Sequence, residues 1–160
     1  MDELRLDARL ELAVRDGITR AVGAIGLCGM ALIHVIDAPS HFGGSDTYLG
    51  LMYLGLIVTS LGLAAGLIKT GDRSVWSAAG ALAVSVIVGY VLSRTTGLPS
   101  STDDIGTWGE PLGIASLFVE GSLVALAAAV LASARTLAAQ PRPVSPVRAH
   151  VATSRQQAAA

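Results

Sequence analysis

Charge is what this chain has least of. Only 14% of its 160 residues are Asp, Glu, Lys or Arg, while 52% are hydrophobic and the mean hydropathy is +0.60. Soluble domains carry roughly a quarter charged residues, and an all-helical protein this poor in charge has too little polar surface to face water. A soluble globular domain is thereby not the expected reading. Cysteine is nearly absent too. The single Cys28 rules out an intrachain disulfide and a cysteine-pair metal site, and its place inside an apolar run reads as helix packing. Several motifs are missing as well: a phosphate-binding Gly-rich loop, a nucleophile elbow, an H-E-x-x-H pair and a c-type haem attachment sequence. Sequence motifs therefore assign no reaction and no cofactor.

What is present is four apolar runs. They read as transmembrane helices over about 18–37, 48–68, 75–92 and 112–133, each near the ~20 residues that cross a ~30 Å hydrocarbon core. The first follows a segment with five acidic side chains and is read as an uncleaved helix. The expected fold is all-α, a transmembrane four-helix bundle spanning 18–135. Residues 1–17 form a cytoplasmic interfacial helix or tail, and 136–160, with three prolines in six residues, a disordered cytoplasmic tail.

Basic residues set the expected orientation. Arg5, Arg9, Arg15, Arg20, Lys69, Arg73, Arg135, Arg142, Arg148 and Arg155 fall on one side of the four runs, and Arg94 alone on the other. A ten-to-one split over short connections predicts both termini in the cytoplasm of a multi-pass cell-membrane protein. Membrane lipid is the expected surrounding, with partner membrane proteins or further copies of the chain as neighbours. Nucleic acid is not an expected partner.

Small residues recur at helical spacing: Gly55, Thr59, Gly62 and Gly66 in the second run, Ala78, Ala81, Ser85 and Gly89 in the third, Gly113, Ser116 and Glu120 in the fourth. Such spacing permits close helix approach in lipid. Trp76 and Tyr90, near opposite ends of the third run, read as interfacial anchors.

Against this background a few polar residues stand out. Glu120 follows Pro111 by nine positions, roughly 13 Å along a helix, a depth at which an ionisable group is a functional hypothesis by default. His34 is expected one turn inside the boundary with Asp37 at i+3. Together with His41 these make a weak candidate metal-ligand set. First and fourth helices of an antiparallel bundle lie side by side, so His34 and Glu120 are candidates for a close approach.

The connection "LSRTTGLPSSTDDIGTWGEPLG" holds the rest of the varied chemistry. Arg94 needs a carboxylate if it is buried, and Asp103, Asp104, Glu110 and Glu120 are available. Gly97 and Pro99 carry turn chemistry, Trp108 suits an interface, and Pro111 suits a first helical turn. The connection is expected to form an ordered extracytoplasmic lid between helices 3 and 4. The candidate polar cluster is thus His34, Asp37, Arg94, Asp103, Asp104, Trp108, Glu110 and Glu120.

The phrases "ALIHVIDAPSHF" and "YVLSRTTGLPSSTDDIGTWGEPLGIASLFVEG" resemble those of a family of small four-helix integral membrane proteins of actinobacteria. The resemblance covers 34–42 and 90–121. It implies the same four-helix architecture and brings no catalytic residues to this sequence.

Three function classes remain open on sequence grounds. One is an accessory, assembly or sensory membrane component. The second is an outer-leaflet metal, redox or enzymatic site built from His34, Asp37, Arg94 and Glu120. The third is a small proton-coupled transporter using Glu120.

Overall fold

A computed structural model describes residues 2–42, 47–99 and 101–139. Helix α1 runs Asp2–Asp37, a short 3-10 turn spans Ala38–His41, and α2 covers Thr47–Lys69, α3 Arg73–Thr95 and α4 Pro111–Ala139. The N-terminal segment is not a separate element. Leu, Arg, Glu and Ala dominate it, no Gly or Pro interrupts it before Gly17, and good helix formers continue without a break into the first apolar run. Pro39 then ends the α-helix, since it has no amide to donate to the Val35 carbonyl and its ring crowds that carbonyl, and the chain tightens into the 3-10 turn.

At the other end of the chain's third helix, the amides of Thr96 and Gly97 both reach back to the Leu92 carbonyl. Gly97 sits at φ +75°, where a side chain would be strained. Pro111 opens α4, and the Ile114 amide takes the Glu110 carbonyl as its acceptor.

The helices pair as two antiparallel hairpins, α1 on α2 and α3 on α4, joined mainly along α1 and α4 and less along α2 and α3. Leu27, Met30, Leu67, Trp76, Ala79, Ala83, Leu123 and Ala127 fill the centre. Each of the four helices is long and apolar enough to cross a membrane. Large apolar side chains cover the outward faces too, among them Ile25, Leu32, Leu54, Val58, Val88 and Phe118. A soluble monomer rarely exposes apolar patches beyond a few hundred Å², whereas lipid accepts such faces everywhere. An all-α, four-helix, multi-pass membrane protein fits both observations.

Packing differs from the sequence expectation in four places. Trp76 is a core residue, 2% exposed; a Cβ on Gly23 would lie 2.6 Å from its Cη2, so glycine is what admits the indole. Cys28 faces outward. Gly55, Thr59 and Gly62 are exposed, and the buried face of α2 is instead Leu49, Gly50, Ser60, Ala64 and Leu67. On α3, Ala78, Ala81 and Ser85 are exposed while Trp76, Ala79, Ala83 and Arg94 are buried. Only α4 buries its small-residue stripe, through Gly113, Ser116, Glu120, Leu123 and Ala127. In lipid both faces of a helix are apolar, so small-residue spacing does not say which face turns inward. The tail from Gln140 onward lies outside the described residues.

Candidate functional site

The polar residues singled out in the sequence fall into three groups. The first centres on Arg94, which lies in the last turn of α3 and is 6% exposed. One guanidinium nitrogen, NH1, is 2.8 Å from Asp104 Oδ1, and the other, NH2, pairs with Glu110 Oε2. The guanidinium also stands 5.0 Å from the centre of the Tyr90 ring, one turn earlier on α3, so a cation–π contact adds to the two ion pairs.

Backbone bonds tie the connection to the same residue. The Gly106 amide donates to the Arg94 carbonyl at 3.0 Å, and the Thr107 amide to Asp104. Leu98 and Ser101 exchange amide–carbonyl bonds across a tight turn. From α2, the Tyr48 hydroxyl donates to the Pro99 carbonyl at 2.6 Å. Trp108 is half-exposed; its ring meets the Tyr90 ring edge-on at 6.1 Å, and its carbonyl accepts the Tyr90 hydroxyl at 3.3 Å. Asp103 is exposed.

The second group joins α1 to α2. His34 is buried, its Nδ1 lies 2.9 Å from the Met30 carbonyl, and its ring meets Tyr53 edge-on at 5.0 Å. That bond to a carbonyl assigns the proton to Nδ1. Tyr53 donates its hydroxyl to Asp37 Oδ2 at 3.0 Å. Both groups lie at the loop end of the bundle, where α1 and α3 end and α2 and α4 begin.

The third group is Glu120, which is 0% exposed. Its Oε1 accepts the Ser116 hydroxyl from one turn earlier on α4, and Oε2 has no hydrogen-bond partner among the described residues. The register against α1 follows from two close approaches. A Cβ on Gly26 would lie 2.9 Å from Leu123 Cδ2, and one on Gly29 3.8 Å from Val119 Cγ1. Glu120 is therefore level with Cys28 and Gly29, and His34 sits about one and a half turns nearer the loop end. The two lie at different depths, His34 against Tyr53 of α2 and Glu120 bonded to Ser116 of its own helix.

Arg94, Asp104, Glu110 and Trp108 are thus brought together, His34 meets Asp37 through Tyr53, and Glu120 stands apart. Among the described residues no three His, Cys, Asp or Glu side chains converge to hold a metal ion; the side chain of His41 lies outside them. Sequence reasoning did not single out Tyr53, and it assigned Tyr90 only to an interface. A polar tip one turn or less from a charged residue, as Tyr90 is from Arg94, was the available signal. No family model, curated protein or solved structure matches the chain.

Proposed function

We propose that the chain is a cell-membrane protein with both termini in the cytoplasm. In this reading it serves as an assembly component that holds a partner protein through the first four turns of α1. The observation that carries the reading is the length of α1. Its 36 residues extend about 54 Å, some 24 Å more than a ~30 Å hydrocarbon core. Residues 2–18 are all exposed, Leu4, Leu6, Leu10, Leu12 and Val14 among them.

Leu6, Leu10 and Val14 recur every four residues and form one stripe. Arg5 and Arg9 border it on one flank, and Glu3, Asp7 and Glu11 on the other. A projecting helix of this length is marginal in water by itself. Helices that rest on anionic lipid are rich in Lys and Arg, whereas residues 2–20 hold five acids and four arginines. Flanks of opposite sign around an apolar stripe suit a partner helix. In the same reading the connection 96–110 is an ordered extracytoplasmic lid, pinned by Arg94 to Asp104 and Glu110.

Photo-crosslinking residues placed at Leu6, Leu10 and Val14, and at Ala8 and Leu12 off the stripe, test this in native membranes. The expected result is one discrete protein product from the stripe positions only, abolished when Leu6→Asp accompanies a crosslinker at Leu10. Lipid adducts alone, equal capture from both faces, or a product of the chain with itself would each refute the reading.

A further inference from the structure

Glu120 is buried as completely as any residue in the bundle, yet nothing in its bonding fastens one helix to another. Its hydrogen bond comes from Ser116 on its own helix, and among the described residues the second carboxyl oxygen is buried without a partner. A buried acid with a structural role bridges helices; this one does not. An unpartnered polar group is costly in so apolar a place, and a bare carboxylate far more so. Leu123, one turn further along α4, and Val119 beside it pack on Gly26 and Gly29 of α1, and among the described residues no ion pair involves Glu120.

We propose that Glu120 is a proton-binding site, taking up and releasing a proton in the middle of the bundle by exchange with the loop end. The route lies along the buried stripe of α4. Ser116 is one turn from Glu120 and bonded to it; Gly113 is a further turn out. There the Tyr90 ring lies directly on the backbone, so closely that a Cβ on Gly113 would be 2.5 Å from its Cε2 and 3.0 Å from its hydroxyl oxygen. Tyr90 is the stopper between the Ser116–Glu120 pair and the Arg94, Asp104, Glu110 surface. Its hydroxyl bond to the Trp108 carbonyl and its place under Arg94 make its position depend on the connection above it. In this proposal Glu120 is the site, the buried stripe of α4 the path and Tyr90 of α3 the gate.

Other groups that titrate or carry charge on the elements around this face lie away from Glu120. His34 is about one and a half turns nearer the loop end, with Tyr53 against its ring and Asp37 beyond it. Arg94, Asp104 and Glu110 stand at the loop end itself, and Arg73 and Arg20 at the opposite end. The inference is independent of the partner-binding arm, which uses the other end of α1.

Dicyclohexylcarbodiimide is the probe. A protonated carboxyl adds its O–H across one N=C bond of the reagent, the carboxyl oxygen bonding to carbon and the proton passing to nitrogen. The O-acylisourea then rearranges to a stable N-acylurea that peptide mapping locates. Full-length protein in sealed lipid vesicles is treated with pH set separately on the loop side and the opposite side.

The expected result is labelling at Glu120, absent in Glu120→Gln, and slowed at least tenfold by raising pH from 6 to 9 on the loop side only (about three decades of proton activity). Tyr90→Ala, which removes the stopper, should speed the response to a loop-side pH jump. Labelling of Glu120 at one rate whatever the pH on either side would identify a permanently protonated structural acid and overturn the proposal. Absence of labelling, or control by pH on the opposite side alone, would overturn it equally. The wild-type readout needs no variant to fold.

Discussion

Replacing Arg94 separates a structural arginine from a decorative one, because its partners are on different footings. The guanidinium is buried at 6% exposure, while the side chains of Asp104 and Glu110 are 46% and 42% exposed. Breaking a fully buried pair costs about 3–5 kcal/mol because a charge is left stranded. Here Arg94→Ala lets both carboxylates return to water, so the stranding cost is partly relieved. One charge-assisted hydrogen bond to Glu110 of about 1.5–3 kcal/mol and an ion pair to Asp104, in which NH1 lacks hydrogen-bond geometry, both discounted for that rehydration, leave an expected loss of about 2–4 kcal/mol.

Arg94→Lys keeps the charge but not the fork. It reaches one carboxylate and loses planar contact with Tyr90, so about 1–2 kcal/mol should go. Arg94→Met, which keeps the stem over Tyr90 without charge, should resemble alanine more than lysine if the ion pairs dominate. Reversible unfolding in mixed micelles measures all three against wild type, and a double-mutant cycle with Glu110→Gln isolates the pair. Alanine and lysine variants both matching wild type, or a cycle with no coupling, would refute the argument that Arg94 fastens the connection to the bundle.

The same unfolding assay discriminates two glycines on neighbouring helices. Gly23→Ala drives a methyl into Trp76 and Leu67 and should cost about 1–3 kcal/mol, whereas Gly55→Ala meets nothing within 4 Å and should be neutral or stabilising by up to about 1 kcal/mol; equal effects would mean the assigned buried face of α2 or α1 is wrong. Gly113→Ala forces the Tyr90 ring off α4 and should raise the exposure of Trp108 to aqueous quenchers, an effect absent in Ala115→Ser on the outer face. Tyr53→Phe removes the donor to Asp37 and should cost about 1 kcal/mol, read as a lower unfolding midpoint. Topology is checked in a Cys28→Ser background: an impermeant thiol reagent applied outside the cell should label Asp103→Cys and spare Arg9→Cys, and the reverse pattern would invert the bundle.

The sequence by itself determined that this chain is four apolar helices, because crossing a membrane demands length and hydrophobicity that composition states directly. It also marked Gly97 and Pro111 as places where a helix stops and the next starts, since those residues act on their own backbone. The need of Arg94 for a carboxylate was legible as well, as the one cation among several acids. Which carboxylates it takes was not: Asp104 and Glu110 are ten and sixteen residues away, and only the path of the connection brings them there. Tertiary structure likewise decided which face of each helix turns inward. Water sorts the faces of a soluble helix by polarity, but lipid does not, so Gly55 and Gly62 outside and Ala79 and Ala83 inside look alike along the chain. For the same reason Trp76 passed for an anchor until Gly23 was seen beneath it. Glu120 shows both limits at once. Its depth follows from counting residues past Pro111, while its bonding to its own helix, and to no other among the described residues, depends on side-chain packing that periodicity does not encode.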